Sequence, residues 1–300
     1  MEITNQIMER KDFPMAELTN KIIDLHTHST ESDGTLTPQE LMHHAKQVGL
    51  SAIALTDHDS IHGLAKARPV AESLGLELVP GVELSTDYSG QEVHILGYYV
   101  DEKNPEFLAS LKNFVDGRDR RNEKMTTLLQ QEGFDITMER LYAEYPDSVI
   151  TRAHFASYLV AHGFVKDRET VFARYLGNTC RCYVPREKLT PFQAIKLIRL
   201  GGGLAFFSHP VLCHMSNVKL RNFLRELKDA GLEGMEAIYS MNTPKDETNL
   251  LGLAREFDLL VSGGSDFHGE NKPHIRLGSG KGNLSIPYEI LARIKEFHSL

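Results

Sequence analysis

Residues 21–41 read KIIDLHTHSTESDGTLTPQEL. Ile22, Ile23 and Leu25 form a short apolar run with turn-forming residues behind it, the pattern of a strand that gives way to a loop. His26 and His28 stand where that strand ends, and Asp33 follows five residues later. In extended backbone, residues i and i+2 point to the same side, roughly 6.6 Å apart along the strand. Two imidazoles placed so can converge on one ion. Taken alone, the H-x-H pair fits two ordinary loop histidines equally well, and the rest of the chain has to decide.

The 300 residues are 41% hydrophobic and 25% charged, enough for one large α/β domain or two ordinary ones. No run approaches the roughly 18 apolar residues that a membrane helix needs, so no membrane partner is expected. Residues 1–20, MEITNQIMERKDFPMAELTN, carry acids and no apolar core, unlike a secretory signal, and the expected location is cytoplasmic. Three cysteines argue against a disulfide framework; Cys180 and Cys182, a lone C-x-C, read with Cys213 as ordinary thiols. The net charge of −8 comes from 33 basic and 41 acidic residues, whereas a protein that grips nucleic acid is usually basic over the contact face. An anionic substrate stays open, because bound divalent cations would reverse the local field.

Outward from the opening motif, strand and helix patterns alternate. TPQELMHHAKQVGL (37–50) predicts a helix with Thr37 as N-cap and Pro38 at its first position. SAIALTDHD (51–59) predicts a buried strand, and SIHGLAKARPVAESLGL (60–76) a helix with an irregularity at Pro69. LELVPGVELS (76–85) and QEVHILGYYV (91–100) read as strands, as do GLAFFSHP, GMEAIYS and LLVSGGSDFHG near the C-terminus, with helical patterns between them. Such alternation predicts a parallel sheet with helical crossovers. From about 104 to 190 it stops, and three helical patterns without a convincing strand predict an insertion that caps the α/β unit.

The strand ends carry the chemistry. His26, His28 and Asp33 follow the first strand, Asp57, His58 and Asp59 the second, and Glu83 the third. His94 lies in the fourth with Glu92 on its face, His209 follows the fifth, and Asp266 and His268 follow the last. In barrels and open α/β sheets the C-terminal edge of the strands is where sites are assembled. A set of His, Asp and Glu without Cys suits Zn, Mn or Fe, and it exceeds the four or so ligands of one ion. Two or three divalent ions are therefore expected, with manganese first and zinc or iron as alternatives, and with a carboxylate bridging a pair.

DLHTHSTESDGTLTPQELMHHAKQVGLSAIALTDHDSIHG, LVPGVELS, EVHILGYYV, FFSHP and SGGSDFHG together resemble, in order and spacing, the motifs of the PHP (polymerase and histidinol phosphatase) family. GRDRRNEKM, TRAHFASYLV and YLGNTCRCYVP in the insertion are similar to one branch, that of the 3′,5′-nucleotide bisphosphate phosphatases and the YciV-type 5′→3′ exoribonucleases (RNase AM). The resemblance implies an α/β fold, a distorted seven-stranded (β/α) barrel over 21–103 and 191–300, with a helical insertion over 104–190 and an extension over 1–20. It implies a metal-dependent phosphoric ester hydrolase that uses a metal-activated hydroxide on nucleotides or on the 5′ end of short RNA. No protein partner is indicated. By motif, one ion takes His26, His28, Glu83 and Asp266; a second shares Glu83 and takes His94 and His209; a third takes Asp33, His58 and His268. Glu83, His209 and Asp266 are the implied catalytic residues, and Arg118, Arg152 and His154 the implied substrate contacts, His154 being an alternative ligand. Asp24, Asp57 and Asp59 read as groups that orient imidazoles, or as solvated loop acids. Ser29, Ser60 and Ser85 show no base that would make a nucleophile. Ser208 stands where the family usually has Ala. The alternatives are a histidinol-phosphatase-like phosphomonoesterase and a non-catalytic PHP binding module.

Overall fold

β1 (Ile22–Asp24) begins a single eight-stranded sheet in the computed structural model, which describes residues 21–299 apart from Asp147, residues 186–188 and the side chains of Val115, Asp116 and Arg118. The extension over 1–20 lies outside the described residues. The other strands are β2 (Leu50–Leu55), β3 (Glu77–Tyr88), β4 (Gln91–Tyr98), β5 (Leu204–Phe207), β6 (Gly234–Tyr239), β7 (Leu260–Gly264) and β8 (Ile286–Pro287), in the order β7-β6-β5-β4-β3-β2-β1-β8. The sheet rolls up because the chain after β1 also meets β7. Leu25 N donates to Gly263 O (3.1 Å), Asp266 N to His26 O (2.8 Å) and His28 N to Phe267 O (3.0 Å). Gly264 permits that approach: a Cβ there would sit 2.2 Å from His26 Cβ.

Two expectations change. Seven strands form the barrel wall, and an eighth was not foreseen. β8 pairs antiparallel with Ile22 and Ile23, so it occupies the part of the β1 edge that β7 does not reach and satisfies backbone groups there. The sheet is also mixed: β4 runs antiparallel to both β3 and β5. The cause is Ser89–Gly90, both at positive φ (55° and 83°), which makes the two-residue hairpin turn that matches strand twist. β3 is accordingly long. Its first half pairs with β2 and its second, from Gly81, with β4.

Period-two alternation sorts the side chains. Ile23, Leu25, Ala52, Ala54, Val79, Leu96, Tyr98, Leu204 and Phe206 fill the barrel interior, floored by Leu291 and Ile294 of α10 (Tyr288–His298). The alternate residues Ile53, Leu55, Val82, Leu84, Ile95 and Phe207 face the helical layer. Each fully buried aliphatic contributes about 1.5–3 kcal/mol. That layer includes α1 (Pro38–Gln47), α2 (His62–Leu74), α7 (Pro191–Leu200), α8 (Asn217–Asp229) and α9 (Pro244–Glu256). Three of them start on the same device, TPQE, TPFQ and TPKD: a Thr N-cap, Pro at the first position, and a third residue that returns the cap. Pro69 lies inside α2, which runs through it unbroken from His62 to Leu74.

Residues 104–190 carry α3 (Pro105–Gln131), α4 (Met138–Glu144), α5 (Arg152–Ala161) and α6 (Arg168–Val171), the last running into a π turn at Phe172–Leu176. They have an apolar cluster of their own, with Met125, Leu129, Phe155, Leu159 and Val171. Phe107 and Leu111 of α3 pack instead with the helical layer of the barrel. Among the described residues no helix is long and apolar enough to cross a membrane.

Candidate metal centre

Above the apolar floor the same alternation points polar groups inward. Glu83 shares its face of β3 with Val79, His94 shares its face of β4 with Leu96 and Tyr98, and Glu236 shares its face of β6 with Ile238. Glu83 lies inside β3 and not after it, because the strand continues into the hairpin. β4 enters that hairpin at the rim where the parallel strands end, which is why His94, near its start, reaches the site.

The Glu83 carboxylate is the centre. Its Oε2 lies 3.3 Å from His26 Nε2, 3.3 Å from His28 Nε2 and 3.2 Å from His58 Nδ1. Its Oε1 lies 3.0 Å from both His94 Nδ1 and His209 Nε2 and accepts from Ser208 Oγ at 2.9 Å. The substitution of Ser for the usual Ala thus adds a donor to this carboxylate. Asp266 Oδ1 lies 3.6 Å from His26 Nε2 and 3.4 Å from His28 Nε2, and Asp33 Oδ1 lies 3.3 Å from His268 Nε2 and 3.9 Å from His58 Nε2. All nine residues singled out as ligands are therefore brought together. The side chains converge in four overlapping groups: His26, His28 and Asp266; His26, Glu83 and His209; His58, Glu83 and His94; and His28, Asp33, His58 and His268.

The donor set fits divalent cations. Glu83 Oε2, Asp33 Oδ1, His58 Nδ1 and His209 Nδ1 are buried without a hydrogen-bond partner, although Glu83 Oε2 has three imidazole nitrogens within 3.3 Å. His26 Nε2 and His28 Nε2 face one another at 3.1 Å. Nitrogen and oxygen lone pairs that face one point instead of one another are satisfied by a cation. The electrostatics agree. Burial pushes the Glu83 carboxyl up, but His26, His58 and His94 outweigh it and hold the group well below the usual carboxylate range. Asp33, beside His268 and His58, and Asp266, beside Lys272 and His268, are likewise held low against their burial. Burial depresses the imidazoles, yet the facing carboxylates lift His26 well above its ordinary value and His28 and His94 to about 9. For His58 and His268 burial prevails and the shift is downward.

A model described as "PHP domain" matches residues 24–188. The chain is 38% identical over 248 residues to a 5′-3′ exoribonuclease of Haemophilus influenzae, covering 83% of this chain and 90% of that one. It is 35% identical over 250 residues to a 3′,5′-nucleoside bisphosphate phosphatase of Chromobacterium violaceum, covering 82% and 87%. This chain belongs to the PHP-domain family. A solved Bifidobacterium adolescentis structure that carries a metal-dependent phosphoesterase assignment superposes with a TM-score of 0.81 at 30% identity, over 91% of this PHP chain and 95% of the other.

Around the PHP ligand cluster stands a layer that the motifs did not reveal. Glu236, fully buried on β6, holds His26 Nδ1 with one oxygen (3.0 Å) and accepts from His209 N with the other (2.8 Å). His209 is in the positive-φ region (28°), as is Asp266 (60°), and each donates its backbone N–H, His209 to the Glu236 carboxylate and Asp266 to His26 O. Tyr239 donates to Asp266 Oδ2 (2.9 Å) and Lys272 Nζ approaches the same oxygen (2.6 Å). The signal available for Glu236 was an acid inside the apolar strand GMEAIYS. Asp24, Asp57 and Asp59 are buried, so the solvated reading fails, and their hydrogen bonds go to the backbone and hydroxyls. Asp24 accepts from Ser265 N and Gly278 N, Asp57 from Ser29 N, Ser29 Oγ and Ser32 Oγ, and Asp59 from Ser85 N. They fix the loops that carry the ligands. Ser29, fully buried against Asp57, is a tie and not a nucleophile.

The cluster opens into a cleft of about 180 Å³ between barrel and insertion, lined by Asp33, His58, His94, Arg121, Arg152 and Tyr183 among others. Arg152 reaches Glu92 Oε2 (3.0 Å) and Asn178 Oδ1 (2.8 Å) and lies over the Tyr183 ring, while Glu92 Oε1 is 3.3 Å from His94 Nε2. His154 is placed elsewhere. Its Nδ1 accepts from Thr151 N (2.9 Å) in the cap of α5, and it lines a separate cavity with Tyr145 and Lys66. The Arg118 side chain lies outside the described ones. Cys180, Cys182 and Cys213 are free thiols and join none of the ligand groups.

Proposed function

We propose that this PHP-domain phosphoesterase hydrolyses phosphate esters of nucleotides, taking 3′,5′-bisphosphate nucleotides, the 5′-phosphorylated end of short RNA, or both. The observation that carries the reading is one buried carboxylate, Glu83, facing five imidazoles. Glu83 would be shared by two of two or three divalent cations, manganese first. His26, His28 and Asp266 would complete the ligands of one ion, His94 and His209 those of a second, and Asp33, His58 and His268 would hold a third. Bound cations supply the Lewis acidity that activates water and neutralises phosphoryl charge.

The chain's own residues do the rest. Glu236 turns the His26 ring so that Nε2 faces the centre, and Lys272 and Tyr239 hold Asp266 ionised and oriented. Arg152, with a planar fork suited to phosphate oxygens, binds the substrate phosphate farthest from the cluster, and Arg118, whose side chain lies outside the described ones, is assigned a substrate contact of the same kind. Residues 104–190 act as a cap that closes the cleft and excludes water. The relatives named for exoribonuclease and bisphosphate phosphatase activity support this substrate class.

The test is phosphate and nucleotide release with added Mn²⁺ from a 3′,5′-bisphosphate nucleotide, a 5′-phosphorylated short RNA and histidinol phosphate. Turnover of either nucleotide substrate well above that of histidinol phosphate is expected. Preference for histidinol phosphate would overturn the substrate class, and no hydrolysis of any of the three by metal-loaded protein would leave a binding module.

A further inference from the structure

A second cavity, of about 500 Å³, continues outward from the cleft along α3 and is lined by Gly117, Arg120, Arg121, Glu123, Lys124, Val184 and Pro185. Arg121 and Val184 line both cavities, so the two share a wall. Gly117, Arg121 and Lys124 are spaced four and three apart and fall on one helical face, and Arg120 and Lys124 are four apart, about 6 Å along the axis. Three cations against one acid make this a locally basic groove on a chain whose net charge is −8. Arg121 is buried at the junction, 8% exposed, while Arg120 and Lys124 are exposed farther out. A 3′,5′-bisphosphate mononucleotide with one phosphate at the metal centre and the other on Arg152 has no further phosphate to place on Arg120 and Lys124.

We propose that this groove is the path of a single-stranded RNA chain whose 5′-terminal nucleotide lies in the cleft, with Arg120 and Lys124 on the phosphates of the nucleotides that follow. This rests on the nucleotide phosphoesterase reading above and adds to it the path of the nucleotides beyond the one that is cleaved. Neither residue touches the metal ligands, so the groove adds affinity for length and leaves the chemistry alone. Contacts of this kind are sequence-independent and salt-sensitive.

The experiment compares wild type with the Arg120→Ala/Lys124→Ala double variant and with Arg120→Glu/Lys124→Glu. Binding of a fluorescein-labelled, 5′-phosphorylated ten-nucleotide RNA is read by anisotropy in EDTA over a salt series, and turnover is read on a 3′,5′-bisphosphate nucleotide. The Ala pair should weaken RNA binding about tenfold and flatten the log–log salt dependence by about 1.4, two phosphates at roughly 0.7 each. The Glu pair should weaken it further, and mononucleotide turnover should stay within about twofold of wild type. RNA binding unchanged in both variants would overturn the proposal, as would equal losses on RNA binding and mononucleotide turnover. Failure of wild type to hydrolyse nucleotides would sink the reading of the metal centre, while the anisotropy series would still judge the groove.

Discussion

Glu236→Gln is nearly isosteric, yet it should disable the centre. The wild-type carboxylate accepts from two donors at once, His26 Nδ1–H at 3.0 Å and the His209 N–H at 2.8 Å. A carboxamide has one accepting oxygen and one donating NH₂. If the oxygen takes His209 N–H, the NH₂ faces His26 Nδ1 and demands the tautomer with a proton on Nε2, the atom that points at Glu83. If the oxygen takes His26, the NH₂ meets the His209 N–H head-on, at a residue already at positive φ. Either arrangement spoils one ligand. Loss of such an orienting partner costs about 10- to 100-fold in metal affinity or activity, about 1.4–2.7 kcal/mol. Mn²⁺ titration calorimetry on metal-stripped protein and kcat on a 3′,5′-bisphosphate nucleotide should both fall in that range, and Glu236→Ala should fall at least as far. Wild-type affinity and kcat in Glu236→Gln would refute the argument that this carboxylate sets the His26 tautomer.

Glu83→Gln should lower metal content and phosphate release together while the far-ultraviolet circular dichroism is retained, because a neutral amide bridges two cations poorly; full metal occupancy with near-normal turnover would remove the bridging role. Arg152→Ala should cost about 10- to 150-fold in kcat/KM on a bisphosphate nucleotide, the equivalent of a charge-assisted contact of about 1.5–3 kcal/mol, and far less on a simple aryl phosphodiester; equal losses on both would mean that it acts through Glu92 and His94 instead. Mn²⁺ affinity should rise with pH. His28 and His94 in the metal-free protein hold their protons to about 9, against roughly 6.5 for a free imidazole, and cation and proton compete for the same nitrogens. Calorimetry should show the affinity climbing from pH 6.5 towards 9 with proton release. The stability that those protons give the metal-free fold is full below about 6.5 and fades as pH rises through about 9. An affinity flat across that range would contradict the assigned ligands.

Local chemistry was legible in the sequence, and pairing across space was not. The Thr37 cap and the strand ends could be read because their determinants lie within a few residues of one another. Seven of the nine expected ligands follow the end of a strand, Glu83 and His94 lie inside β3 and β4, and all nine meet at one rim; for the seven, the rule that parallel strands deliver their ends to one edge needs no knowledge of which strands are neighbours. The reversal of β4 was missed, although Ser89–Gly90 is local, because the period-two pattern is the same for a strand read in either direction. β8 was missed because two residues carry no period at all. Glu236 escaped for a different reason. In sequence it is one acid in an apolar strand, and its meaning comes from two partners, 210 residues away at His26 and 27 away at His209. His154 differs in another way. The motif resemblance implies a substrate contact or a ligand, and a His three residues after an N-cap Thr can also close the cap on its own helix, as its Nδ1 does at Thr151. Arg152, two residues earlier on the same turn, points into the cleft. The distinction between them is one of helical phase, which the motif alone did not resolve. It places Arg152 on the wall of the cleft and His154 in the N-terminal cap of its own helix.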